Sequence, residues 1–147
     1  MALSTHVPAT APRVQVRSAV PTFLVDDVAR TAAWYVEQLG FTIAGHVPAE
    51  APYVYASLQR GGAELMLLNL AGYEKPDLRR LRPAGLWDAY MRTDGVRAMY
   101  GAIRDQSIIA TPLGQRPYGD WEFEVRDPNG YVLVFGGGAD VEGRDAV

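Results

Sequence analysis

The chain runs twice through the same order of local patterns, and a repeat of this kind restricts the architecture more than composition can. In each pass a strand pattern ends on an aspartate that opens a helix, and three further strand patterns follow; Asp27 marks that junction in the first half and Asp94 in the second. The first strand is expected over 18–25. Pro21 within it cannot donate to a sheet ladder, which places the strand at an edge or a bulge. Asp26 or Asp27 then caps a helix whose apolar positions Val28, Ala32, Tyr35 and Leu39 share one face, and Gly40 ends it. Strands follow over 41–47, 53–59 and 63–69, the last two joined by a tight turn at Gly61-Gly62.

The second pass reads as a strand over 86–93, a helix capped by Asp94 and carrying Val96, Met99, Tyr100 and Ile103, a short strand over 108–113, and a closing hairpin. That hairpin turns on Asp127-Pro128-Asn129-Gly130, where proline fixes φ and Asn-Gly tolerates the positive φ of a reversal. Trp121, Phe123 and Val125 precede the turn, and Val132, Val134 and Phe135 follow it. The fold class is therefore α+β, two βαβββ modules over 18–69 and 86–137 joined by a linker over 70–85. Residues 1–17 form an N-terminal arm and 138–147 a tail. One such module has a single helix and leaves one face of its sheet uncovered, so two modules are needed to bury enough apolar surface.

A chain of 147 residues has the length of one domain. With 14 Lys and Arg against 17 Asp and Glu, and a net charge of -3, there is no electrostatic case for nucleic acid or an acidic membrane as partner. Arg79, Arg80 and Arg82 are the one basic cluster, and they read as a solvated loop. The absence of cysteine excludes a disulfide framework, a thiolate metal site and a cysteine nucleophile. No apolar run near the N-terminus has the form of a signal peptide or a membrane span, and the cytoplasm is the default compartment. No GxSxG elbow, P-loop or helix-opening GxGxxG is present.

Val25-Asp26-Asp27-Val28 with Tyr35 and Leu39-Gly40-Phe41, together with Tyr118-Gly119 upstream of Asp127-Pro128-Asn129-Gly130, resembles the vicinal oxygen chelate superfamily over residues 19–137. That superfamily includes glyoxalase I, extradiol dioxygenases and bleomycin-resistance proteins. The resemblance implies a cupped mixed sheet with helices outside and a ligand cavity inside, and a homodimer. Its metalloenzymes hold a divalent ion with four His or Glu side chains, and those positions fall here on Val20, Glu64, Asp88 and Val134. Valine binds no metal, and neither His6 nor His46 is placed to substitute, so no metal or cofactor is expected. The pattern is that of the bleomycin-resistance-like branch.

Glu64 is an acidic residue in an otherwise apolar strand, read equally well as a cavity carboxylate or as a rim residue. Asp88 is a similar case. Alternation puts Asp88, Tyr90 and Arg92 on one face of the fifth strand and Trp87, Ala89 and Met91 on the other, which suits packing on a helix. The phase implied by the resemblance points the first set inward. Tyr55, Tyr118, Trp121 and Glu122 complete the candidate lining, and Glu122 also recurs at the corresponding position of bleomycin-resistance-like proteins. An apolar and aromatic pocket with a few directed polar groups is the usual make-up of a small-molecule site. The expected function is metal-independent binding and sequestration of an antibiotic or aromatic natural product, with no catalytic residue. The alternatives are a metal-dependent lyase, isomerase or dioxygenase with an unconventional site built from Glu64, Asp88 and His46, and a partner-binding protein with a vestigial cavity.

Overall fold

The computed structural model describes residues 12–138. Its elements, in chain order, are β1 (Thr22–Val25), α1 (Val28–Leu39), β2 (Thr42–Val47), β3 (Tyr55–Arg60), β4 (Ala63–Asn69), β5 (Ala89–Arg92), α2 (Val96–Ala102), β6 (Ile109–Gln115), β7 (Trp121–Arg126) and β8 (Val132–Gly137), with one turn of 3-10 helix over Gln106–Ile108. The eight strands divide into two four-stranded sheets, β1-β4-β3-β2 and β5-β8-β7-β6. In each, the first strand pairs in parallel with the last and the other pairings are antiparallel. The chain is thus a duplicated βαβββ fold of the α+β class.

Alternation along the strands decides what the helices cover. In the first module Phe23, Val25, Ala56, Leu58, Leu65 and Leu67 are buried, as are Val28, Ala32, Tyr35 and Leu39 of α1. In the second, Ala89, Met91, Phe123, Val125, Leu133 and Phe135 are buried with Val96 and Met99 of α2. The Asp27 side chain accepts from the Arg30 amide at 3.0 Å, and Gly40, at φ 69°, returns its own amide to the carbonyls of Tyr35 and Val36. A cap of that kind contributes about 1 kcal/mol. The second helix differs from expectation. Its N-cap is Gly95, at φ 73° and with no side-chain hydrogen bond, so Asp94 lies one residue outside the helix and does not cap it.

Pro21 precedes β1 instead of lying within it, so its missing N–H takes no bond from the strand, and β1 lies at the edge of its sheet. The hairpin turn at 127–130 does more than reverse the chain. Its Asp127 is buried and accepts from the Tyr35 hydroxyl of α1 at 2.7 Å and from the amides of Asn129 and Tyr131 at 2.8 and 3.0 Å. Asn129 donates to Thr31 at 3.0 Å. Tyr131 stacks on Phe23 with ring centroids 4.1 Å apart and donates its hydroxyl to the Leu24 carbonyl at 2.7 Å. The turn of the second module is therefore the joint that holds the first.

Candidate functional site

The face of the second sheet away from α2 carries a carboxylate that the fold goes to some length to hold. Glu122 lies on β7 opposite Gly136 of β8, and only 1% of its surface is exposed. Burying a carboxylate is costly unless its oxygens are satisfied. Here Tyr90 of β5 donates to Oε2 at 2.6 Å, Tyr118 donates to Oε1 at 2.6 Å, and the Arg116 guanidinium lies 3.4 Å from the same oxygen. Both phenols are pushed up. Burial raises Tyr90 first and the bond to Glu122 second, whereas for Tyr118 the bond to Glu122 leads and takes it to about 12. The carboxylate therefore faces hydroxyls that stay protonated, and with Arg116 they form a fixed polar cluster.

Gly136 makes that cluster sterically possible. A Cβ built on it would lie 2.7 Å from Glu122 Cγ and 2.9 Å from Tyr90 Cζ, and would collide with the Tyr90 hydroxyl. The requirement is for space and not for an unusual φ, since Gly136 is not among the glycines at positive φ.

Of the residues expected to line a cavity, Tyr90, Tyr118 and Glu122 come together in this cluster, and the Arg92 guanidinium lies 5.5 Å from the Tyr90 ring centre. Glu64 and Tyr55 sit on the other sheet, where Ser57 donates to Glu64 at 3.0 Å. Glu64, Tyr90 and Arg92 nevertheless line one open groove of about 1080 Å³ between the modules, with the β3–β4 turn on one side and α2 on the other. Asp88 is occupied structurally, accepting from the Val132 amide at 2.8 Å with Lys75 at 3.7 Å. Trp121 is on the opposite face of β7 from Glu122, packed against the core with the Arg97 guanidinium 4.4 Å over its ring.

Trp87 corrects the sequence reading. Alternation placed it against a helix, but the strand begins only at Ala89, so Trp87 is free of the strand's phase. It is 51% exposed, donates its indole N–H to Glu124 Oε1 at 2.6 Å, and lies 5.6 Å from the Tyr90 ring. Glu124 shares the face of Glu122, so Trp87 turns to the site. Tyr118, 61% exposed, presents a second open aromatic surface there.

The residues present do not fit the divalent ion of the superfamily's metalloenzymes. Val134 is fully buried beside Tyr90, Val20 offers no donor atom, and among the described residues no three His, Asp or Glu side chains converge to hold an ion. No described helix is long and apolar enough to cross a membrane.

Among curated proteins, no sequence matches this chain. Solved structures do. TioX from Micromonospora sp. ML1 superimposes with a TM-score of 0.63 at 23% identity over 84% of this chain and 97% of that one. The bleomycin-binding protein of bleomycin-producing Streptomyces verticillus, solved with copper(II)-bleomycin, gives 0.59 at 24% identity, covering 86% and 99%. A glyoxalase-related enzyme from Clostridium phytofermentans gives 0.66 at 16% identity, covering 85% and 97%. Likenesses at these identities show a shared fold. The family model described as Glyoxalase/Bleomycin resistance protein/Dioxygenase superfamily matches residues 17–135, and with the duplicated βαβββ architecture this places the chain in that superfamily.

Proposed function

We propose that this protein binds and sequesters a small aromatic molecule, of the antibiotic or natural-product kind, without a metal and as a homodimer. The observation that carries the reading is the buried Glu122 carboxylate, fixed by Tyr90, Tyr118 and Arg116 on a sheet face that also bears the open rings of Trp87 and Tyr118. Sequestration asks for affinity and no stabilised transition state, and it accords with valines at two of the four metal positions. Open aromatic rings beside a buried carboxylate whose oxygens are already occupied suit a planar ligand, and the nearby negative charge favours one that carries positive charge. Bleomycin binding by a protein of the same fold makes that class the natural starting point.

The test is a titration of the fluorescence of the three tryptophans with a panel of aromatic antibiotics that includes bleomycin, paired with growth of bacteria expressing the protein. At least one compound should quench saturably and be tolerated at higher dose. Glu122→Ala, which removes the acceptor of Tyr90, Tyr118 and Arg116, should weaken its binding about tenfold to a hundredfold, as expected for lost hydrogen bonds to a charged group. A panel without a binder or a tolerance effect would refute sequestration.

The homodimer rests on the helix-free face of the first sheet. There Val47, Tyr55 and Leu68 form one cross-strand row, with Val47 54% and Leu68 42% exposed. Apolar residues in a row on an uncovered sheet face favour a second surface over water. Sedimentation equilibrium should give twice the chain mass, and Leu68→Asp should halve it; a monomeric wild type would remove the dimer from the reading.

A further inference from the structure

We propose that the second module carries a separate anion-binding pocket, built between the linker and the sheet, that takes a phosphate, sulfate or carboxylate group. The pocket has a volume of about 260 Å³. Since a water molecule occupies about 30 Å³ of liquid, this is room for one tetrahedral oxyanion and a few waters.

Its charge does not balance. Lys75, Arg79, Arg82 and Arg126 line it against Asp77 and Glu124 alone. Arg79 is taken by Asp77 in a local ion pair, and Lys75 leans to Asp88 at 3.7 Å. Both oxygens of Glu124 are engaged by neutral donors, the Trp87 indole and the Thr111 hydroxyl. That leaves two guanidiniums against the single charge of Glu124, which its neutral donors do not cancel. Arg82 donates to the Gly85 carbonyl, which orients its side chain and leaves its charge whole, and Arg126 projects from β7. Among the described residues neither has a carboxylate within ion-pair distance.

The linker cluster alone reads as a solvated basic loop. What changes the reading is that the fold brings Arg126, distant in sequence, and Lys75 to the same cavity. Cations gathered in excess of their counter-charge repel one another, and an oxyanion relieves that repulsion while accepting from guanidinium forks whose spacing matches two oxygens. The pocket lies on the sheet face of Glu122 and is opposite to it in sign. The anion is accordingly either a free ion or an acidic group on a larger ligand lying across that face.

Titrating the full chain with inorganic phosphate, followed by calorimetry and by thermal melting, reads this pocket without needing the Glu122 ligand. Phosphate should raise the melting temperature saturably, as mass action requires, beyond the effect of sodium chloride at matched ionic strength. The double replacement Arg82→Gln and Arg126→Gln should weaken phosphate about tenfold or more, the loss expected for charge-assisted bonds. Phenyl phosphate binding more tightly than phosphate would assign the anion to an aromatic ligand, and equal affinities would assign it to the free ion. A chloride effect as large as that of phosphate, or a double variant that binds phosphate like wild type, would overturn the proposal.

Discussion

Asp127→Ala should destabilise the protein by about 3–5 kcal/mol, more than any substitution in the candidate site. Removing the carboxylate leaves the fully buried Tyr35 hydroxyl and the amides of Asn129 and Tyr131 without their acceptor. Each buried donor left unmade costs about 1–3 kcal/mol. For a chain of this length the melting temperature should fall by roughly 6–20 °C. Asp127→Asn keeps an oxygen for the two amides and turns an N–H toward the Tyr35 oxygen, so it should cost much less.

The same pair predicts a pH dependence with a definite sign. Burial pushes the Asp127 carboxyl up, and the bonds from Tyr35, Tyr131 and Asn129 offset only part of that. A carboxyl whose folded pKa is raised binds its proton more tightly in the native state than in the unfolded one. Its contribution is therefore fully present below the ordinary value of 3.8 and is lost as pH rises through the folded value. Urea unfolding of wild type and Asp127→Asn from acid to neutral pH should show the wild type losing ground to the variant over that window. A difference that stays constant with pH would sink the argument.

Gly136→Ala should have the second largest effect, and on function more than on stability. The added methyl collides with the Tyr90 hydroxyl and crowds Glu122 Cγ at 2.7 Å. Tyr90 can swing outward but the buried Glu122 cannot, so the expected compromise breaks the Tyr90–Glu122 bond and opens the cluster. Overpacking of this sort costs about 1–3 kcal/mol. Ligand affinity should fall as far as it does in Glu122→Ala. In a Tyr90→Ala background the stability cost of Gly136→Ala should shrink, with the remainder reporting Glu122. Equal costs in both backgrounds would show that Tyr90 is not what the methyl meets.

Local periodicity was enough to read the repeat, because each module states its own elements. The four-three-four spacing of Val28, Ala32, Tyr35 and Leu39 gives the face α1 buries, and Gly61-Gly62 sets the β3–β4 turn at the position observed. Glu122 and Tyr90 were legible as candidates because polar and aromatic residues at strand positions invite the question, and Tyr118 because it lies in the Pro- and Gly-rich loop before the closing hairpin. Trp87 was not, since its direction follows from where β5 starts pairing, and pairing with β8 is a long-range property. Asp94 failed as a cap for a local reason: Gly95 takes the N-cap in a left-handed conformation that the aspartate would adopt only with strain.

What the sequence determined by itself was the order of elements and the duplicated α+β class, because each depends on neighbours along the chain. The tertiary structure alone decided that Asp127 would serve as the joint to Tyr35, 92 residues away, that Gly136 would make room for a carboxylate and a phenol, and that Arg126 would meet Arg82. Those are contacts between side chains whose proximity arises only when both sheets have formed, and no periodicity along the chain encodes them.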